Sequence, residues 1–147
     1  MFFQSKGFYV DLIESKDLNE VVKVYNSNKH FLVKHMDKEK ITNEFIFQEL
    51  ESMKEVGFYS CKIVDINSEN IMGIMDFKVG EETYLSLLMI HNDFKSKGLG
   101  KLIFHDFEGY SKSLKSRCIR IDVVINYENS VLDFWVKNCL VNLKTWS

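Results

Sequence analysis

The apolar residues of this chain recur with two rhythms, one of two residues and one of about 3.6, and their succession predicts the elements. Phe8 to Ile13 alternates as a first strand. Asp17 is placed to open a helix, with Glu20 three residues later as its capping-box partner. Leu18, Val21, Val22 and Tyr25 mark that helix's buried face. Asn26 to Lys40 is polar and mixed, which predicts a loop or broken turn. Ile41 to Val56 returns to helical spacing through Phe45, Ile46, Leu50 and Met53, and Gly57 ends it.

Three strands follow: Phe58 to Ile66, Ile71 to Val79 and Thr83 to Ile90, separated by the turns Asn67–Asn70 and Gly80–Glu82. The tail Leu87-Leu88-Met89-Ile90 is continuously apolar, the pattern of a strand buried on both faces. After a loop from Asn92 to Gly100, a helix runs to Leu114 with Leu99, Leu102, Ile103, Phe107, Tyr110 and Leu114 as its stripe. Cys118 to Ile125 reads as a strand, Ser130 to Asn138 as a short helix and Leu140 to Trp146 as a last strand. The predicted order is β-α-α-β-β-β-α-β-α-β. Hairpin-linked strands followed by a crossover helix give an α/β (α+β) fold, a mixed sheet with helices on both faces. No linker or repeat divides residues 1–147, so one domain is expected.

Composition narrows the function. The 147 residues are 46% hydrophobic, enough for a sizeable core. The net charge of -2 speaks against general nucleic-acid binding, which needs a broad basic surface. The first residues lack the basic and apolar regions of a signal peptide, and no apolar run approaches the roughly 20 residues that span a bilayer. A cytoplasmic protein without a membrane partner is expected. Cys61, Cys118 and Cys139 show no metal-type spacing and read as reduced, mostly buried thiols; no metal is expected.

The strand–glycine loop–helix unit carries the most chemistry. Glycines at 98 and 100 allow a sharp turn and close backbone approach. The helix behind them offers unpaired N–H groups and a partial positive charge, together a diphosphate site. Lys95, Lys97 and Lys101 add cations there. From Lys95 to Arg120 there are seven basic residues and only two acids, although the chain as a whole is slightly acidic. Neither the Walker loop nor the three-glycine dinucleotide fingerprint is present. By spacing alone, an ordinary strand-to-helix turn with solvated lysines explains the loop equally well.

Lys95-Ser96-Lys97-Gly98-Leu99-Gly100 resembles the Arg/Gln-x-x-Gly-x-Gly/Ala loop of the GNAT acetyltransferases, with Ile90, Asn92 and Phe94 at the preceding family positions. Asn129 to Leu140 resembles that family's Asn-x-x-Ala-x-x-Phe-Tyr-x-Lys-x-Gly-Phe helix, one residue shorter, and places Phe134 and Trp135 at its aromatic pair. The resemblance covers nearly the whole chain. It implies a mostly antiparallel sheet of about six strands, and transfer of acetyl from acetyl-CoA to an amine. It also assigns the site. Backbone amides from Ser96 to Lys101 cradle the CoA diphosphate, and Leu88, Met89 and Ile90 pair with the pantetheine arm like an added strand. Amides near Leu88 and Met89 polarise the thioester carbonyl. Asn126 or Asn129 bonds the pantetheine.

The departures concern catalysis. Lys95 stands for Arg and keeps the charge without the planar fork. Trp135 stands where many members carry the tyrosine that protonates the leaving thiolate, and indole is no useful acid. Tyr127 or a water then serves, or the thiolate leaves unaided, since a thiol pKa near about 8.5 permits it. The attacking amine also needs a base. Asp122, within Ile121-Asp122-Val123, is similar in place to the base of ribosomal-protein N-terminal acetyltransferases; a structural contact of Asp122 is the competing explanation. Asp76 is the second candidate. Glu81 and Glu82 lie too far along the strand, at about 3.3 Å per residue. His91 and His105 read as loop and solvated residues. Two alternatives remain: a non-catalytic acetyl-CoA-binding module, and an interaction domain with a chance Gly-x-Gly. The acceptor is not legible in Asn26 to Lys40. The family adds a strand after the stretch ending near Trp146, so a C-terminal arm completed by a partner, as in a homodimer, is expected.

Overall fold

The protein, a computed structural model, is described over residues 1–95 and 97–121. Its six-stranded sheet has the order β1 to β6: β1 (Phe3–Gln4), β2 (Phe8–Leu12), β3 (Tyr59–Asp65), β4 (Ile71–Lys78), β5 (Glu82–Ile90) and β6 (Cys118–Ile121). Neighbours are antiparallel from β1 to β5, while β5 and β6 run parallel, paired from Glu82↔Cys118 to Leu85↔Ile121. Helix α4 (Leu99–Ser113) makes that parallel crossover, as the sequence predicts. The strand and helix expected between 122 and 146 lie outside the described residues.

Two cores lie on the two faces of the sheet. Helix α4 packs Ile103, Phe104 and Phe107 against Phe8, Phe77 and Leu85. On the other face, Val21, Val22 and Val24 of α1 (Leu18–Ser27) and Ile46 of α3 (Asn43–Glu55) meet Ile74 and Met89. Phe77 and Phe107 meet with ring centroids 5.0 Å apart, and Phe3 stacks on Tyr110 at 5.2 Å. Strand β1 is absent from the predicted elements because two residues are too short to show a period; Phe3 and the preceding Phe2 pack against the α4-side core.

Several local expectations change. The capping box forms one turn early: the Glu14 N–H donates to Asp17 Oδ2 at 2.8 Å. The same carboxylate holds the largely buried Lys62 Nζ at 2.8 Å, and this charge pairing takes Asp17 away from the expected box. Glu20 instead accepts the Ile71 N–H at 3.3 Å. Helix α3 starts after Thr42, whose Oγ1 caps the Phe45 N–H at 3.2 Å, rather than at Ile41, which is buried. The segment read as a loop contains α2 (Lys29–Phe31), which continues into a π-turn at Leu32–Met36 and ends at left-handed Asp37. Its periodicity is faint because Leu32 is the only described residue of α2 and the π-turn that reaches the core cluster fully. Leu102 of α4 and its C-cap Leu114 are 40% and 45% exposed, while Phe104 is buried. Of the apolar tail of β5 only Met89 is buried; Leu87, Leu88 and Ile90 are half-buried.

Gly73 fixes the spacing of β4 and β5. A Cβ there would stand 2.6 Å from the Met89 carbonyl oxygen, a backbone atom that cannot rotate away. Gly73→Ala must therefore push the two central strands apart, a strain of about 1–3 kcal/mol. Thermal unfolding should show a fall of several degrees in Tm; an unchanged Tm would mean the strands have slack there.

Candidate active site

The loop between β5 and α4 has a side-chain cap at its entry and none at the start of α4. Asn92–Phe94 form a 3₁₀ turn, entered at His91, whose Nδ1 accepts the Asp93 N–H at 3.0 Å. His91 is thus a loop-forming residue and His105 is exposed, as expected. Phe94 turns inward against the α4-side core. Gly98 is the N-cap of α4 in the left-handed region, at φ +75°. A Cβ on it would meet nothing within 4 Å, so the glycine is needed for its backbone angle, not for room. The first turn of α4 has no side-chain cap and no acidic residue. The N–H of Leu102 bonds Gly98 O at 3.2 Å, so the amides of Leu99, Gly100 and Lys101 lie in the turn that has no intrahelical acceptor. Gly100 belongs to the helix rather than to the loop. Lys95, Lys97 and Lys101 are exposed around this start, and Lys97 Nζ lies 6.0 Å from the Phe94 ring centre. Anion, dipole and cations match: these residues fit a diphosphate.

The other part of the site is the edge of β5. The His91 N–H donates to Met72 O at 2.7 Å, in register with the pairs Ile74↔Met89 and Asp76↔Leu87. In an antiparallel ladder hydrogen-bonded pairs alternate. Residues 87, 89 and 91 therefore direct their main-chain groups to β4, while Leu88 and Ile90 direct theirs to the opposite edge. Among the described residues β6 pairs only with Glu82–Leu85, so it leaves the Leu88–Ile90 edge uncovered. Of the two amides expected near the thioester, Leu88 faces that edge. Met89 is turned to β4. The register slips between Asp76↔Leu87 and Phe77↔Leu85, a bulge that leaves Ser86 without an opposite residue. The Ser86 hydroxyl donates to Asp76 O at 3.4 Å.

Asp76 sits opposite this bulge, on the α1–α3 face. Burial drives its carboxyl pKa up from 3.8 to about 6; the nearby Ser60 hydroxyl opposes the shift and the Glu49 charge adds to it. Ser60 stands near enough for that influence yet short of bonding geometry, since its buried Oγ makes no hydrogen bond among the described residues. Tyr25 stands in the same field, its phenol raised by burial and by Asp76 and Glu49. Glu81 is engaged elsewhere, 2.7 Å from Arg117. Cys61 is buried, with its thiol raised by burial, and Cys118 is partly exposed.

Ser96, Asp122, Asn126, Tyr127, Asn129, Phe134, Trp135 and Cys139 lie outside the described residues. The structure joins Leu88, Ile90, Lys95 and Gly98 to Lys101 into one continuous stretch. Sequence reasoning missed two elements of it: Gly73, whose isolated place in a strand pattern was a signal of close approach, and the bulge at Ser86, which leaves no composition mark. Among the described residues no group of acidic, histidine or cysteine side chains could hold a metal, and no helix is long and apolar enough to cross a membrane.

No family model and no curated protein matches this chain by sequence. Solved structures do match it by shape. An acetyltransferase from Thermus thermophilus superposes with a TM-score of 0.75 at 19% identity, over 90% of this chain and 85% of its own. A GNAT family acetyltransferase from Staphylococcus aureus gives 0.62 at 16% identity, over 84% and 93%. A PaiA N-acetyltransferase from Thermoplasma acidophilum, solved in complex with coenzyme A, gives 0.65 at 14% identity, over 90% and 89%. The curled six-stranded sheet, with its parallel last pair and its glycine-started crossover helix, is thus the GNAT acetyltransferase fold.

Proposed function

We propose that the protein is an N-acetyltransferase that transfers acetyl from acetyl-CoA directly to a primary amine of a small molecule or a peptide N-terminus. One observation carries this reading: the uncapped start of α4, ringed by Lys95, Lys97 and Lys101, continues directly from the outward-facing edge of Leu88 and Ile90. A diphosphate at the first and an amide-bearing arm along the second describe the two ends of acetyl-CoA. Amides from Ser96 to Lys101 hold the diphosphate. Leu88 and the Ile90 N–H pair with the arm, Asn126 or Asn129 adds a bond, and Phe134 and Trp135 are further candidate contacts.

In the reaction the amine nitrogen bonds the thioester carbonyl carbon, the C–S bond breaks, CoA leaves as thiolate, and the amine loses one proton. The Leu88 N–H is the donor for the developing oxyanion. The proton goes to Asp122 or Asp76. Asp76 gains support from its place at the bulge and from a carboxyl raised to about 6, which is mostly ionised at pH 7 yet a better base than an ordinary aspartate. A second reading, a non-catalytic acetyl-CoA-binding module, is favoured by Trp135 in place of an acidic tyrosine. Thiol release from acetyl-CoA across polyamines, amino acids, aminoglycosides and peptide N-termini decides between them. Turnover with one amine class supports the enzyme; binding without turnover supports the module.

Three measurements bear on the parts. If Asp76 is the base, kcat/KM should rise with pH through a limb near 6, and Asp76→Asn should abolish the limb and lower kcat by about 10²–10⁴ while acetyl-CoA affinity holds. Asp122→Asn producing that loss instead would transfer the role to Asp122. The same Asp76→Asn change should raise Tm at pH 8. Folding lifts this pKa from 3.8 to about 6, so the native state holds the proton more tightly and loses stability as pH climbs through that window. At pH 3.5 the gain should vanish. Gly98→Ala should weaken acetyl-CoA binding several-fold by calorimetry, because a left-handed residue with a Cβ is strained by about 1–2 kcal/mol.

A further inference from the structure

The end of helix α1 reaches across to the point where β5 becomes the loop. Asn28 is 5% exposed, and its Nδ2 donates to Ile90 O at 3.0 Å, Val24 O at 2.9 Å and Ser27 Oγ at 3.2 Å. Ser27 Oγ donates to Val24 O at 2.7 Å and accepts the Asn92 N–H at 3.0 Å. Ile90 O lies on the edge of β5 that no described strand covers, where the ordinary partner is another strand's amide. Here a side chain 62 residues away supplies the donor. The N–H of His91 is held by Met72 O, so three consecutive residues, Ile90 to Asn92, are held in turn by the end of α1, by β4 and again by the end of α1.

We propose that Ser27 and Asn28 are positioning residues for the acyl donor. They hold the last edge carbonyl of β5 and the first amide of the loop, so that strand edge and helix start form one line before acetyl-CoA arrives. This rests on the acetyl-CoA reading above. The physical gain is preorganisation: a loop fixed in advance loses little entropy when the donor binds. Asn28 suits the task because a primary amide carries two N–H hydrogens to share among close carbonyls and is neutral when buried. Ser27 suits it because one hydroxyl donates back to its own helix while it accepts from the loop. The arrangement also ties α1 directly to the donor strand, so the two faces of the active site move together.

Calorimetric titration of acetyl-CoA into the full chain tests this, with Tm measured alongside. Ser27→Ala should raise the acetyl-CoA Kd and KM about five- to tenfold and leave kcat at saturation within about twofold; the size follows from losing one neutral hydrogen bond. Ser27→Thr, which restores the hydroxyl, should recover wild-type affinity. Asn28→Ala should weaken binding more and also lower Tm; the half-buried Ser27 keeps the test open should that variant not fold. A Ser27→Ala protein with wild-type Kd but lower Tm would reduce the pair to helix packing and overturn the proposal. Failure of the wild-type chain to bind acetyl-CoA would overturn it together with the proposed function, a separate and recognisable result.

Discussion

The alternation of hydrogen-bonded pairs between β4 and β5 governs the rest of this molecule. Because each residue of β5 can turn its main chain to one edge only, the ladder decides that Leu88 and Ile90 face outward and that Met89 faces β4. Gly73 allows the two strands to come close enough for that ladder, its missing Cβ making room for the Met89 carbonyl. The bulge at Ser86 then resets the alternation, so Leu85 packs on the α4 side while Leu87 packs on the α1–α3 side. A strand that continued in regular pleat would present a different set of side chains to each face.

The electrostatics of the site divide along the same strand. At one end, α4 begins with unpaired amides and surrounding lysines, a region that favours negative charge. At the other, the half-buried Asp76 lies within the fields of Tyr25 and Glu49, a region that disfavours further negative charge and raises its own carboxyl. A carboxyl raised by burial lowers the stability of the native state as it ionises.

Much of the fold was legible. The strands Phe8–Leu12, Tyr59–Asp65, Ile71–Lys78 and Glu82–Ile90, and the helices around 18–27, 43–55 and 99–113, stand within a residue or two of their predicted limits. These elements are long and strongly periodic, and burial of one face is a property of the sequence pattern. The element at Lys29–Met36 was not legible, since its ordering depends on Asn26 bonded to Ile41 and Asn28 bonded to Ile90 rather than on any local rhythm. The capping box at Asp17 failed for the same kind of reason: Lys62, 45 residues away, claims the carboxylate. Of the site, the glycine loop was legible because left-handed turns and helix starts need particular residues. Which main-chain groups of Leu88, Met89 and Ile90 point outward was not.

By itself the sequence determined the order of elements, the two buried faces and the basic glycine turn, because periodicity, turn chemistry and charge are properties of neighbouring residues. Only the tertiary structure decided strand register, the bulge opposite Asp76, the raised carboxyl, and the tie from Ser27 and Asn28 to β5. Each of these depends on groups far apart in the chain brought within hydrogen-bond distance or removed from water together, and no local pattern encodes that proximity.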